Sequence, residues 1–243
     1  MTLSTSPAGT PAPSNGAVRP VRPAAVLWDM DGTLINSEPY WMAAETELVE
    51  AHGGRWSHED GLGLVGNALD VSAGVLRSAG VNLGIDEIVD LLVEQVTSQV
   101  LGRVPWQTGA YALLGDLVTA GIPSALVTMS FRRLADAVVS GAPANAFAAV
   151  VCGDEVVHGK PDPEPYLRAA SALGVDVTRC VAVEDSPAGV ASALASGART
   201  IGVRVMVPIE PRPGLSRIAS LADLDLELLH RVAGGEVVDL LDA

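Results

Sequence analysis

The chain of 243 residues predicts an α/β protein, a doubly wound parallel sheet with a small all-helical insertion after the first strand. Three observations lead there. Short apolar runs alternate with helical patterns from Ala24 onward, and uninterrupted runs of this length read as strands buried on both faces, as parallel strands are. One long stretch, from about residue 40 to 107, breaks the alternation and is helical throughout. Hydrophobic residues make up 49% and aromatics only 4%, which suits small-residue helices packed on a buried sheet.

The elements follow in order. Residues 1–23, rich in Pro, Ser, Ala and Gly, are expected to be a disordered tail, without the basic start and apolar run of a signal peptide. AAVLWDMDGT, from Ala24, is an apolar run that ends in acids and a glycine turn, a buried strand leading into a loop. Asn36-Ser37-Glu38-Pro39 and Val104-Pro105-Trp106 bracket the insertion as hinges. Within it Ile85, Ile88, Val89, Leu92, Val96 and Val100 recur at helical spacing. Asp86 and Glu87 stand in the first turn, where carboxylates suit the helix dipole. Helices are then expected over Gly109–Ala120, Phe131–Val139, Glu164–Leu173 and Pro187–Ser196. Strands are expected over Ser124–Met129, Phe147–Cys152, Cys180–Val183 and Thr200–Val205. Breakers such as Gly121-Ile122-Pro123 and Gly174 separate them. A Pro-rich loop follows Val205, then a leucine-rich helix from about Ser220 to Val232. The expected division is a tail (1–23), a core (24–39 and 108–222), a helical cap (40–107) and a C-terminal helix and tail (223–243).

A net charge of −14 repels nucleic acid and anionic membranes, so neither is an expected partner. An anionic substrate would need a local positive exception. No segment approaches the ~18 uninterrupted apolar residues of a membrane span. Cys152 and Cys180 have no metal or redox spacing and sit at the ends of valine-rich runs, which suggests packed free thiols in a reducing compartment. The chain is expected to be cytoplasmic. Its oligomeric state is not legible.

The chemistry gathers at strand ends. The first strand ends in Asp29-Met30-Asp31-Gly32-Thr33, the second in Thr128-Met129-Ser130, and the fourth in Glu184-Asp185-Ser186; Gly159-Lys160-Pro161-Asp162-Pro163 follows the third. Ligands of an open parallel sheet bind beyond the carboxyl ends of its strands, so these groups are expected to converge. Asp29 and Asp31, two apart in extended chain, can face one ligand. So many carboxylates together call for a hard divalent cation, and an all-oxygen set favours Mg²⁺ over zinc. Lys160 is the only lysine; the other cationic side chains are arginines. A compact ammonium suits a site shared by phosphate and carboxylates.

DMDGT, VTMS, GKPDPEPY and VEDS together resemble the four motifs of the haloacid dehalogenase superfamily, and most of all its sugar-phosphate phosphatase and β-phosphoglucomutase branch. The resemblance runs from Ala24 to about Ala222 and implies a Rossmann-like core with a helical cap. Asp31 points to phosphoryl transfer, because the dehalogenases lack that second aspartate. On this resemblance Asp29 would be the nucleophile that forms an aspartyl phosphate. Asp31 would protonate the leaving alcohol and then deprotonate the attacking water. Asp29, the backbone carbonyl of Asp31, Glu184 and Asp185 would hold Mg²⁺. Thr128, Lys160 and loop amides would stabilise the transferring group, with Ser130 and Glu38 on the substrate side.

Three functions fit: a phosphatase for small phosphomonoesters, a phosphosugar mutase, and a non-catalytic phosphometabolite-binding protein. The motifs are complete, which disfavours the last. A mutase needs a second cationic phosphate site, yet Leu64-Val65-Gly66-Asn67-Ala68 carries no arginine where mutases tend to have one. Met129-Ser130-Phe131-Arg132-Arg133 is also unlike the mutase run. The phosphatase is therefore the expected function. Which ester it cleaves is open, as are the roles of Trp41, Arg132 and Arg133.

Overall fold

Six short strands form the sheet in the computed structural model, which describes residues 21–241. Most of the expected N-terminal tail, residues 1–20, and the last two residues lie outside the described residues. The strands are β1 (Val26–Trp28), β2 (Ser124–Val127), β3 (Ala149–Val151), β4 (Val181–Glu184), β5 (Arg199–Val203) and β6 (Leu215–Ile218). Their spatial order is β3-β2-β1-β4-β5-β6, and every pairing is parallel. The chain runs outward from β1 on one side and returns to lay β4 on the other. The carboxyl ends of β1, β2 and β4 therefore meet at the switch point, where such sheets bind ligands.

Successive strand residues face opposite sides. Val26 and Trp28 pack with α5 (Ala110–Ala120), α6 (Arg132–Ser140) and α9 (Leu226–Ala233), while Leu27 packs with Tyr166 and Ala169 of α7 (Glu164–Leu173) and Ala193 of α8 (Pro187–Ser196). Burial on both faces explains why β1, β2 and β4 read as continuous apolar runs. Between β1 and α5 lie only helices: α1 (Glu38–Ala51), α2 (His58–Leu62), α3 (Leu69–Ser78) and α4 (Ile85–Gly102). The boundary expected at Tyr40 falls inside α1. The apolar stripe of α4 packs on α1, α3 and α6, so the inserted helices and the sheet share one hydrophobic cluster.

Two expectations for the C-terminal part are corrected. The Pro-rich region after Val205 contains a sixth strand, β6, with the sequence Leu-Ser-Arg-Ile. It was not legible because its two central residues are polar, yet both are buried with partners. Ser216 Oγ accepts the Val238 N–H at 3.1 Å, and Arg217 donates to Asp239 at 2.6 Å and to the Ile209 carbonyl at 3.0 Å. Residues 238–240 also bond to the Arg217 backbone and cover this sheet edge. The helix expected from about Ser220 begins only at Leu226. Ser220 starts a 3-10 turn (Leu221–Asp223), and Asp225 then caps the helix by accepting the Leu228 N–H at 2.8 Å.

Candidate active site

Asp29 directly follows β1, and its N–H donates to the Val183 carbonyl of β4 at 3.0 Å. The chain then folds back. Leu34 and Ile35 both donate to the Met30 carbonyl, and Gln107, beside the second hinge, donates to the Gly32 carbonyl at 2.8 Å. Gly32 has φ of 83°, and a Cβ there would stand 2.0 Å from Asp185 Oδ2. Glycine thus meets two demands, a left-handed turn and room for a carboxylate.

Lys160 is buried with all three ammonium donors satisfied. It lies 2.6 Å from Asp29 Oδ1, 2.6 Å from Glu184 Oε1 and 2.9 Å from the Val127 carbonyl. Burial by itself would lower its pKa, but Asp29 and Glu184 outweigh that and raise it, so the group stays charged. Glu184 is fully buried and also accepts from the Tyr166 hydroxyl and, at 3.4 Å, from Ser186 Oγ. A Cβ on Gly189 in α8 would lie 1.8 Å from Glu184 Oε2, so the helix start leaves space for this carboxylate.

Asp185 accepts from Thr33 Oγ1 at 3.2 Å through Oδ1. Its Oδ2, like Oδ2 of Asp29, is buried without a hydrogen-bond partner among the described residues. Burial and the neighbouring Glu184 push Asp29 up to about 7 against the opposing pull of Lys160. Burial, Asp29 and Glu184 push Asp185 well above the usual carboxylate range. Carboxylate oxygens of Asp29, Glu184 and Asp185 lie within 4.8 Å of one another. Two orphaned oxygens among mutually repelling carboxylates fit a divalent cation, which would relieve both the missing partners and the repulsion.

Asp31 is held by four donors. Oδ1 accepts from Ser37 Oγ at 2.6 Å and Trp41 Nε1 at 3.1 Å; Oδ2 accepts from Ser130 Oγ at 2.7 Å and Thr128 Oγ1 at 3.3 Å. The first pair belongs to the start of α1 and the second to the loop after β2. Thr128 and Ser130 thus orient Asp31, and Trp41 is a hydrogen-bond donor as well as a wall.

Asp29, Asp31, Thr128, Ser130, Lys160 and Asp185 line one cavity between the sheet end and the inserted helices, with Glu184 and Tyr166 behind its wall. Glu38 enters it from α1, as do Trp41 and Glu45, with Leu64 and Asn67 opposite. Gly66 brings this opposite wall against the core, since a Cβ there would lie 2.8 Å from the Ser186 Cβ. Arg132 and Arg133 do not line the cavity. Arg132 pairs with Glu155 at 2.6 Å, and Arg133 donates to the Asp90 carbonyl of α4 at 3.1 Å.

The sequence reading did not assign roles to Thr33, Ser37, Tyr166 and Glu45. Thr33 and Tyr166 stood inside quoted motifs. Glu45 follows Glu38 by seven residues, a spacing that puts both on one helix face. Cys152 and Cys180 are buried free thiols, pushed up to about 12 and about 11, chiefly by burial.

Fold and site together place clustered carboxylates at the switch point of a doubly wound sheet. The chain belongs to the haloacid dehalogenase-like hydrolases, whose family model matches residues 23–197. It is 34% identical to hexitol phosphatase A of Escherichia coli, over 73% of this chain and 81% of that one. It is 35% identical to protein CbbY of Rhodobacter capsulatus, over 73% and 83% respectively. A crystal structure of a CbbY mutant from Rhodobacter sphaeroides in complex with xylulose-(1,5)bisphosphate matches with a TM-score of 0.75 and 28% identity, covering 83% of this chain and 96% of that one. No helix among the described residues is long and apolar enough to cross a membrane.

Proposed function

We propose that this phosphomonoester hydrolase is a Mg²⁺-dependent sugar-phosphate phosphatase working through an aspartyl phosphate on Asp29, in a reducing, cytoplasmic setting. The observation that carries the reading is the pair of orphaned oxygens on Asp29 and Asp185 beside an Asp31 held by four donors. The similarity to hexitol phosphatase A supports a sugar-type substrate.

Asp29, Asp185 and the Asp31 carbonyl would hold the metal, with Glu184 behind them holding Lys160. Mg²⁺, when bound, supplies charge neutralisation for an incoming phosphate dianion among these acids. An Asp29 oxygen attacks phosphorus, the bond to the ester oxygen breaks, and Asp31 donates its proton to that oxygen. Asp31, now a carboxylate, takes a proton from water as the water oxygen attacks phosphorus, releasing inorganic phosphate and free Asp29. The hydroxyls of Ser37, Thr128 and Ser130 rotate between donating and accepting, so they can hold Asp31 in both states. Lys160 favours the ionised form of Asp29 against burial and Glu184, and holds it in place. The inserted helices act as the cap that excludes bulk water and sorts leaving groups.

The test is phosphate release from a panel of sugar monophosphates with Mg²⁺, with Asp29→Asn as the blank. Turnover by the wild type alone is the expected result. Interconversion of β-glucose 1-phosphate and glucose 6-phosphate without free phosphate would mean a mutase instead. Turnover retained in Asp29→Asn would sink the aspartyl-phosphate mechanism.

A further inference from the structure

Of the three clustered carboxylates, Glu184 alone has no oxygen to spare. Asp29 and Asp185 each keep an Oδ2 without a partner among the described residues. Glu184 Oε1 accepts from Lys160 Nζ at 2.6 Å and from the Tyr166 hydroxyl, and Oε2 accepts from Ser186 Oγ at 3.4 Å. Distance does not set Glu184 apart, because carboxylate oxygens of all three lie within 4.8 Å of one another. Its donors do. Lys160 divides its ammonium among Glu184, Asp29 and the Val127 carbonyl. Tyr166 has a single O–H and gives it to Glu184. Tyr166 is fully buried in the first turn of α7, in the same apolar cluster as Leu27 of β1 and Ala182 of β4. Lys160 Nζ stands 5.4 Å from the centre of its ring, close enough for the aromatic face to attract the ammonium. Burial, Glu184 and Asp29 push the phenol well above its ordinary value, so the hydroxyl stays a donor.

We propose that Tyr166 is a positioning residue that sets metal selectivity, its hydroxyl holding Glu184 out of the metal's ligand set so that only Asp29 and Asp185 of the cluster have an oxygen to give. This rests on the metal-dependent reading and adds to it a reason for the choice of ion. Mg²⁺ keeps several waters and binds through one or two carboxylates plus a substrate phosphate, in near-octahedral geometry. Ca²⁺ takes about six to eight oxygens in a looser arrangement. A site offering two carboxylates suits the first ion, and a third carboxylate moves it toward the second. Tyr166→Phe keeps the ring beside Lys160 and removes only the hydroxyl. Glu184 Oε1 then loses one of its two donors and can turn to a metal. Lys160 still holds Glu184 in that variant, so the change in selectivity is partial.

The experiment titrates the full chain with Mg²⁺ and, separately, with Ca²⁺ in the absence of substrate, and reads each Kd from the rise in Tm. The ratio of the Mg²⁺ Kd to the Ca²⁺ Kd is expected to rise at least 5-fold in Tyr166→Phe. In the double variant Tyr166→Phe, Glu184→Gln the rise should disappear, since the effect runs through that carboxylate. A merely structural role for Tyr166 would weaken both ions alike and leave the ratio where it was. An unchanged ratio in a folded Tyr166→Phe, or a rise that survives in the double variant, overturns the proposal. If Tyr166→Phe does not fold, a crystal structure of the Mg²⁺-loaded wild type gives the answer. The Tyr166 hydroxyl is expected still on Glu184, and a Glu184 oxygen at the ~2.1 Å of a Mg²⁺ ligand overturns the proposal. A wild type that binds neither ion, or that releases phosphate at full rate in a chelator, defeats the metal reading itself. An unchanged ratio in a protein that binds Mg²⁺ and needs it for turnover defeats the role of Tyr166 alone.

Discussion

Lys160 shows how much one residue can reveal. A single lysine among arginines stood out in the sequence, but its three acceptors, Asp29, Glu184 and the Val127 carbonyl, did not. The pocket holds a compact ammonium, and a planar guanidinium is larger and differently hydrated. Lys160→Arg is therefore expected to lower kcat at least 100-fold despite equal charge, as phosphate-release assays would read. Near-normal rates would mean that the Lys160 geometry does not matter to turnover. Gly32→Ala should be comparably damaging, because its Cβ would displace Asp185 and demand a φ that alanine rarely adopts. Restoration by raised Mg²⁺ alone would argue against that account. Thr33, Ser37 and Tyr166 were harder to read because a hydroxyl has no sequence pattern of its own. Only the fold brings Thr33 to Asp185, Ser37 to Asp31 and Tyr166 to Glu184.

At the scale of elements, α1 and α8 place most of what the strand ends do not. The α1 helix delivers Trp41, Glu38 and Glu45 to one cavity, while its N-cap residue Ser37 binds Asp31. At the start of α8, Ser186 accepts the Gly189 N–H at 3.0 Å and also lies beside Glu184. Ser186→Ala should cost about 1 kcal/mol of stability through the lost cap, measurable by urea unfolding. Gly189→Ala should be worse, since its Cβ would overlap a fully buried carboxylate that holds Lys160. A neutral effect of Gly189→Ala on both stability and activity would contradict this packing. Helices α5 to α8 were legible almost to the residue because Gly and Pro punctuate them. Strand β6 was not, because its Ser and Arg are satisfied by residues about twenty positions further on.

Across the whole molecule, the concentration of buried acids makes stability depend on pH and metal. Glu38 and Glu45 bind protons more tightly in the folded state, near 8 and 7, than at their ordinary value of 4.5. Their contribution to stability is therefore full below about pH 4.5 and is lost as pH rises through 7 and 8. Metal-free protein should melt at a lower temperature at pH 8.5 than at pH 6, and Glu38→Gln should flatten part of that slope. A Tm that rises steadily over this range in the metal-free wild type would refute the assignment. On the proposed reading, bound Mg²⁺ would act in the opposite sense, because its ligands must be ionised. At a hundredfold excess over Kd it should add about 2.7 kcal/mol, and at one fixed concentration more at pH 8 than at pH 6. Asp185→Asn should lose most of that gain, and a full Mg²⁺ shift in this variant would exclude Asp185 as a ligand.

The local code of this chain is strong where a single stretch carries the information. Apolar runs and helix breakers were enough to read the parallel sheet and the inserted helices, and the strand ends were enough to expect that Asp29, Asp31, Thr128, Lys160, Glu184 and Asp185 come together, as they do. Partnership between distant residues was decided only by the tertiary structure. Glu184 turns toward Lys160 and Tyr166, Thr128 and Ser130 serve Asp31, Arg132 and Arg133 stay outside the cavity, and Glu45 joins Glu38 within it. The physical reason is range. Backbone propensity and burial pattern act over a few residues, whereas hydrogen bonds and charge pairs depend on which side chains the packed elements bring within about 3 Å.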